Sequence, residues 1–275
     1  MKELGVRVAV AAVGIPLLVF VVLKGDIYFF IITVIIAVVG QWELYKLVGQ
    51  KGMQVWTIPG YLLGLGILYG TGYGFSDELR IGLLAVFVII FLSEMFRNKG
   101  SASMNIAGTL FGVIYPVVFL AGLLYLRFNI GEILPKTKYN PGGMFILTMF
   151  FSVWGCDTFA YFFGKAFGKH RLFERVSPKK SIEGAIAGLI GGIFVFFLSK
   201  WIGLLGIGNG LALISGIIVG TIGQMGDLVE SWFKRDAGVK DSSALLPGHG
   251  GMLDRFDSLM FIAPVFVILY LILRQ

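Results

Sequence analysis

Cysteine is all but missing from this chain: its 275 residues include one, Cys156. A lone thiol excludes an intrachain disulfide framework, and in its apolar stretch Cys156 reads as a small packing residue. Histidine is almost as scarce, with two, so no histidine–cysteine cluster of the zinc type can be assembled. Charge is thin as well. Asp, Glu, Lys and Arg make up 14% of the chain, against about 25% in soluble domains. A water-soluble fold would have too little polar surface. Strict apolar–polar alternation is lacking too, as the run IGLLAVFVIIFL at 81–92 illustrates, which excludes a transmembrane β-barrel. No internal repeat, low-complexity stretch or linker marks a second domain.

What is present is apolar. Hydrophobic residues make up 57% of the chain and the mean hydropathy is +0.86. Apolar runs of about twenty residues recur from end to end, the length that crosses a hydrocarbon core of roughly 30 Å. The fold class is an all-α, polytopic transmembrane helix bundle of about nine spans. They are predicted near 7–23, 27–47, 57–72, 79–96, 105–126, 143–164, 183–202, 208–227 and 257–273. Val8–Leu23 is read as a retained first helix, since no small-residue cleavage motif follows it. The 39 glycines suit such a bundle, because small residues let helices approach closely. They are also compatible with a homodimer. Residues 1–140 read as a helical scaffold. Residues 141–275 read as the catalytic region, with polar loops at 165–182 and 228–256.

With the N-terminus inside, the cytoplasmic face collects 16 of the 23 Lys and Arg residues, as the positive-inside rule requires. Most of that excess sits in the two polar loops. The expected location is therefore the cytoplasmic (inner) membrane, multi-pass, with both loops facing the cytoplasm. The five tryptophans read as interfacial anchors.

Polar chemistry concentrates in 226–257. If 227–235 is helical, Asp227, Ser231, Lys234 and Arg235 share one face. Asp254 and Asp257, three apart at the start of the last helix, share another, where a helix N-terminus favours carboxylates. Between them, Pro247-Gly248-His249-Gly250-Gly251 forms a tight turn whose amides can approach an anion. Carboxylates, cations and a glycine turn suit phosphoryl or nucleotidyl transfer. Magnesium takes one or two protein carboxylates and completes its shell with water and phosphate. Acids beside or within a span are costly and so are functional candidates. The bland alternative is a solvated loop between two spans. A further acid, Asp157, lies within an apolar helix with Tyr161 and Lys165 on its face. Ser177-Pro178 reads as a helix start with Ser177 as cap.

Residues 231–257 read Ser-x-Phe-Lys-Arg-x4-Lys-Asp-x-Ser-x2-Leu-Pro-x-His-Gly-Gly-Met-x-Asp-Arg-Phe-Asp. This resembles the complete signature of the phosphatidate cytidylyltransferases. The stretches Asp157-x-x-Ala160-Tyr161-x-x-Gly164 and Ser177-Pro178-Lys179-Lys180-Ser181-x-Glu183-Gly184 are similar to two more of that family's motifs, with Ser181 in place of a threonine. The resemblance implies a membrane nucleotidyltransferase that condenses CTP with phosphatidate to give CDP-diacylglycerol and pyrophosphate. It implies a magnesium requirement, with one or two divalent ions and room for a monovalent one. In that reading Asp227, Asp254 and Asp257 hold the metal. Lys234, Arg235, Lys240 and Arg255 neutralise phosphate charge, and Asp241 belongs to the same catalytic stretch. Ser231, His249 and the Gly250 and Gly251 amides orient phosphate. Asp157, Tyr161, Lys165, Ser177, Lys179, Lys180 and Glu183 bind substrate. The partners are CTP, phosphatidate and membrane lipid, with no nucleic acid. Two other readings stay open: a different CTP-dependent enzyme of lipid phosphates, and a transporter whose intramembrane acids bind ions.

Overall fold

The computed structural model describes residues 2–135, 138–248 and 250–275. Among them the chain forms nine helical stretches and one short hairpin. The helices are α1 (Lys2–Lys24), α2 (Asp26–Gln50), α3 (Thr57–Tyr73), α4 (Asp77–Arg97), α5 (Ala102–Glu132), α6 (Pro141–Phe167), α7 (Ile182–Trp201), α8 (Asn209–Asp236) and α9 (Leu253–Leu273). Seven of these, α2 and α4–α9, are long and apolar enough to cross a membrane. The stretch Val10–Lys24 of α1 is a shorter apolar helix, and α3 has 17 residues. The chain is a multi-pass membrane protein.

Local chemistry sets the helix ends. Ser76 caps α4 by accepting from the Leu79 amide at 3.3 Å, with Asp77 and Glu78 in the first turn. Asn140 caps α6 through the Gly143 amide at 2.9 Å, and Pro141 follows at the first helical position. Two helices contain one π turn each, at Ile114–Val118 in α5 and Val219–Gly223 in α8.

Packing follows small residues, as the glycine content leads one to expect. A Cβ at Gly184 of α7 would come within 2.9 Å of the Ala160 carbonyl oxygen of α6 and 3.1 Å of Gly164 Cα. The core behind them is aromatic and aliphatic. Phe145, Phe196 and Phe266, from α6, α7 and α9, are fully buried against one another.

Polar contacts segregate to the two ends of the bundle. At one end Arg127 donates to the Val22 carbonyl, and Tyr270 and Arg274 meet Glu132. At the other end Lys51 pairs with Asp236, Glu94 holds Trp56 and Asn105, and Lys180 pairs with Asp227. The two segments expected to share a face therefore do so.

Three local expectations need correction. The penultimate helix does not stop at 227 but runs on to Asp236, so the loop is 237–252 rather than 228–256. Hydropathy ends at the membrane boundary, whereas helical geometry continues as long as side chains support it. Here Glu230 and Lys234, four apart, do so at 2.5 Å. Nor does 165–182 form a plain loop. Lys165 lies in the last turn of α6. The chain then makes a hairpin of β1 (Arg171–Phe173) against β2 (Ser177–Ser181), antiparallel with an irregular register. Ser177 is consequently a strand residue and caps nothing. Ser181 caps α7 instead, its hydroxyl accepting from the Gly184 amide at 3.1 Å. Pro178 fits an edge strand, which has no need of its missing donor.

Candidate active site

A cavity of about 710 Å³ opens at the polar end of the bundle. Its chemistry is divided. One part is lined by Asp157, Asp227, Lys234, Asp241, Asp254, Arg255 and Asp257. The other is an apolar wall to which α1 contributes Val10, Gly14, Ile15 and Leu18, and α2 contributes Ile32 and Ile36. Phe150, Val153 and Trp154 of α6 complete it.

The acids crowd together. Asp157, Asp227, Glu230 and Asp257 all lie within electrostatic reach of one another or of Asp254. Three cations stand among them. Lys180 Nζ is 2.5 Å from Asp227 Oδ2, and the Ser231 hydroxyl donates to the other oxygen at 3.3 Å. Lys234 Nζ is 2.5 Å from both Glu230 Oε2 and Asp254 Oδ1. Arg255 is exposed at the cavity wall. The lining carries five aspartates against Lys234 and Arg255, which leaves the cavity acidic. Like charges at such separations repel strongly when partly buried, so the site favours an additional cation.

Asp254 is the most heavily engaged of the acids. Besides Lys234, it accepts from the Ser242 amide at 3.0 Å, the Ser242 hydroxyl at 2.8 Å and the Gly251 amide at 2.7 Å. Both its oxygens are committed to the protein. Among the described residues no three His, Cys, Asp or Glu side chains form a group able to hold an ion by themselves. Asp227 is held in the same way, by Lys180 on one oxygen and the Ser231 hydroxyl on the other, so engagement does not separate it from Asp254 as a metal ligand. One or two of these carboxylates would suit magnesium, with water and phosphate to complete the shell.

The expected residues thus divide. Asp157, Asp227, Lys234, Asp241, Asp254, Arg255 and Asp257 meet in one cavity. Tyr161, Lys165 and Lys179 are exposed and lie outside its lining, as do Ser177 and Lys240. Lys234 is not a free cation for phosphate, because two carboxylates hold its ammonium. Arg235 donates to the Val239 carbonyl at 2.8 Å and closes the end of α8. Glu183 accepts from the Lys169 and His170 amides and meets the His170 ring at 2.7 Å, which ties the hairpin to α7. The Gly251 amide does not await an external anion, because it already holds Asp254. Gly250 has φ +80 and pairs with Leu246 in an isolated bridge, so it shapes the turn. His249 lies outside the described residues.

One participant escaped the sequence reading. Glu43, in α2, is fully buried. It accepts from the hydroxyls of Ser242 and Ser243 at 3.0 and 2.5 Å, and from the amides of Met252 and Leu253 at 2.9 and 2.8 Å. The rule that singled out Asp157, an acid inside an apolar run, applies equally to Glu43.

Comparison with known proteins bears on this arrangement. A family model described as the cytidylyltransferase family matches residues 5–273. The chain belongs to the cytidylyltransferase family. It is similar to the phosphatidate cytidylyltransferase of Staphylococcus saprophyticus, 36% identical over 270 residues. The alignment covers 96% of this chain and 98% of that one. The phosphatidate cytidylyltransferases of Staphylococcus epidermidis and Staphylococcus aureus are each 33% identical, with the same coverage. Coverage of this extent places the N-terminal helices inside the family's shared architecture. Glu43 and the cavity-lining residues of α1 fall within the matched span.

Proposed function

We propose that this cytidylyltransferase condenses CTP with phosphatidate, giving CDP-diacylglycerol and pyrophosphate. One observation carries the reading: a single cavity joins an acidic, cation-studded part to an apolar wall facing the spans. A soluble nucleotide needs the first and a lipid needs the second, and the chemistry must happen where they meet. In this reaction an oxygen of the phosphatidate phosphate attacks the α-phosphorus of CTP. The new P–O bond forms as the α–β phosphoanhydride bond breaks, and pyrophosphate leaves with the electron pair.

Phosphatidate is already an anion, so the site needs no strong general base. Its task is to hold two polyanions in line and offset their repulsion. Arg255, exposed in the cavity, is the cation freest to meet phosphate. Lys180 orients Asp227 from the hairpin side. Lys234 bridges Asp254 and Glu230, offsets their repulsion and fixes the start of α9. Magnesium held by one or two of Asp227, Asp254 and Asp257 would supply the remaining positive charge between the phosphates. The hydrophobic wall excludes water from the lipid side. Because CTP is cytosolic, the polar end of the bundle faces the cytoplasm in this reading.

The test uses purified protein in detergent with labelled CTP and phosphatidate, with and without magnesium. Magnesium-dependent transfer of label into the lipid phase, with pyrophosphate in the aqueous phase, is expected. No lipid-borne label would overturn the reading. Cysteine-accessibility mapping that put the 237–252 loop outside the cell would overturn its orientation.

A further inference from the structure

We infer that Glu43 is a positioning residue for the active site, acting from the N-terminal half of the chain. The inference rests on the function proposed above. Glu43 does not line the cavity, so it does not touch the reacting groups. What it touches is everything that aims them. Its carboxylate receives the amides of Met252 and Leu253, at the N-terminus of α9. A carboxylate is favoured there by the free N–H groups and by the helix dipole. It also receives the hydroxyls of Ser242 and Ser243, midway along the same loop. One buried group thereby pins both ends of the 242–252 segment.

The next link is direct. The Ser242 hydroxyl lies 3.0 Å from Glu43 and 2.8 Å from Asp254. Asp254 in turn holds Lys234, and Lys234 holds Glu230. Glu43, Ser242, Asp254, Lys234 and Glu230 form one continuous network across α2, the loop, α9 and α8. Asp254, Arg255 and Asp257 all sit within the first turns of α9. A tilt of that helix end would move all three at once.

Gly251 confirms how closely the parts are fitted. A Cβ there would strike both the Ser242 hydroxyl and the Glu43 carboxylate. The Gly251 amide is taken by Asp254, and the missing side chain of the glycine leaves the room that Glu43 occupies. Without Glu43, the Met252 and Leu253 amides and the Ser243 hydroxyl would lose their acceptor, Ser242 would keep Asp254 alone, and buried polar groups are costly to leave unpaired. A misplacement of about 1 Å in a reacting constellation can cost on the order of 100-fold in rate.

The experiment compares Glu43→Gln, Glu43→Asp, Ser242→Ala and the Glu43→Gln/Ser242→Ala double variant in purified full-length protein. With CTP and phosphatidate, Glu43→Gln is expected to lower kcat by about 10- to 100-fold and to change KM for CTP far less. Glu43→Asp should recover part of the loss. The double variant should be no slower than the slower single one, because both break the same chain of contacts. Trypsin supplies a readout independent of catalysis: Lys240, exposed in the loop, should be cut faster in Glu43→Gln than in the parent. A Glu43→Gln protein within twofold of the parent kcat would overturn the inference. So would losses that multiply in the double variant, or unchanged cleavage at Lys240. If the parent protein makes no CDP-diacylglycerol, the functional reading fails, and the trypsin comparison still decides whether Glu43 holds the loop. If Glu43→Gln does not fold, Ser242→Ala decides: parent-like kcat and cleavage in that variant overturn the inference.

Discussion

Replacing Lys234 with methionine removes a charge while keeping most of the side chain's length and apolar stem. In the native protein the ammonium sits 2.5 Å from Glu230 and 2.5 Å from Asp254. Those side chains are 1% and 6% exposed, and that of Lys234 is 10% exposed. The contacting carboxylate oxygens can therefore be no more than about 5 Å apart. At an effective dielectric of about 20, two negative charges at that separation repel by about 3 kcal/mol. Breaking a buried ion pair by removing one partner costs about 3–5 kcal/mol by the same physics. For a chain of this size each kcal/mol is worth roughly 2–4 °C, so the melting temperature should fall by about 6–20 °C. Intrinsic-fluorescence melting in detergent measures it. A second substitution sharpens the test. Adding Glu230→Met removes one of the two orphaned acids, so the double variant should melt above Lys234→Met despite carrying more changes. A Lys234→Met protein melting within about 2 °C of the parent would refute the reasoning. A double variant less stable than both singles would refute it as well.

Other expectations can be read in the same preparations. Lys180→Ala should change stability by under about 1 kcal/mol, because the pair with Asp227 is about one-third exposed. Its transferase rate should fall at least about tenfold if Lys180 orients a metal-holding carboxylate; lipid-extractable label from CTP measures this. Gly14→Leu should fold normally, since a Cβ at Gly14 meets nothing within 4 Å. The added side chain would fill the apolar part of the cavity, so KM should rise for long-chain phosphatidate and hold steady for CTP. Gly251→Ala should cost about 1–3 kcal/mol by overpacking and should slow turnover, as seen in a melt and a rate from one sample.

How much could be read from residues alone depended on the range of the interaction. Nine helices and the 226–257 cluster were legible, because hydropathy and spacing are local signals. Asp157 was legible as an acid out of place in an apolar run, and it does line the cavity. Glu43 carried the same signal, but its meaning lies in partners near residues 242–253, which spacing cannot reveal. The end of α8 was missed for a different reason. The apolar run stops near Asp227, and what carries the helix to Asp236 is side-chain pairing outside the apolar zone. Lys234 and Gly251 were assigned to an external phosphate because their chemistry suits one. Their actual partners are Asp254 and Glu230 for Lys234 and Asp254 for the Gly251 amide, all supplied by the fold.

The π turn at Val219–Gly223 has a consequence for α8 as a whole. A π turn carries about one residue more than an α turn, which at 3.6 residues per turn is a phase change of about 100°. The two halves of α8 are thus dialled differently. The first half shows Leu213, Ile214 and Ile217 outward, while the second brings Asp227 and Lys234 round to the cavity. Excising one residue from 219–223 would leave composition and span length almost untouched. It would rotate the chemical half of the helix by more than a quarter of a circle, like a key cut correctly but set at the wrong angle in its lock.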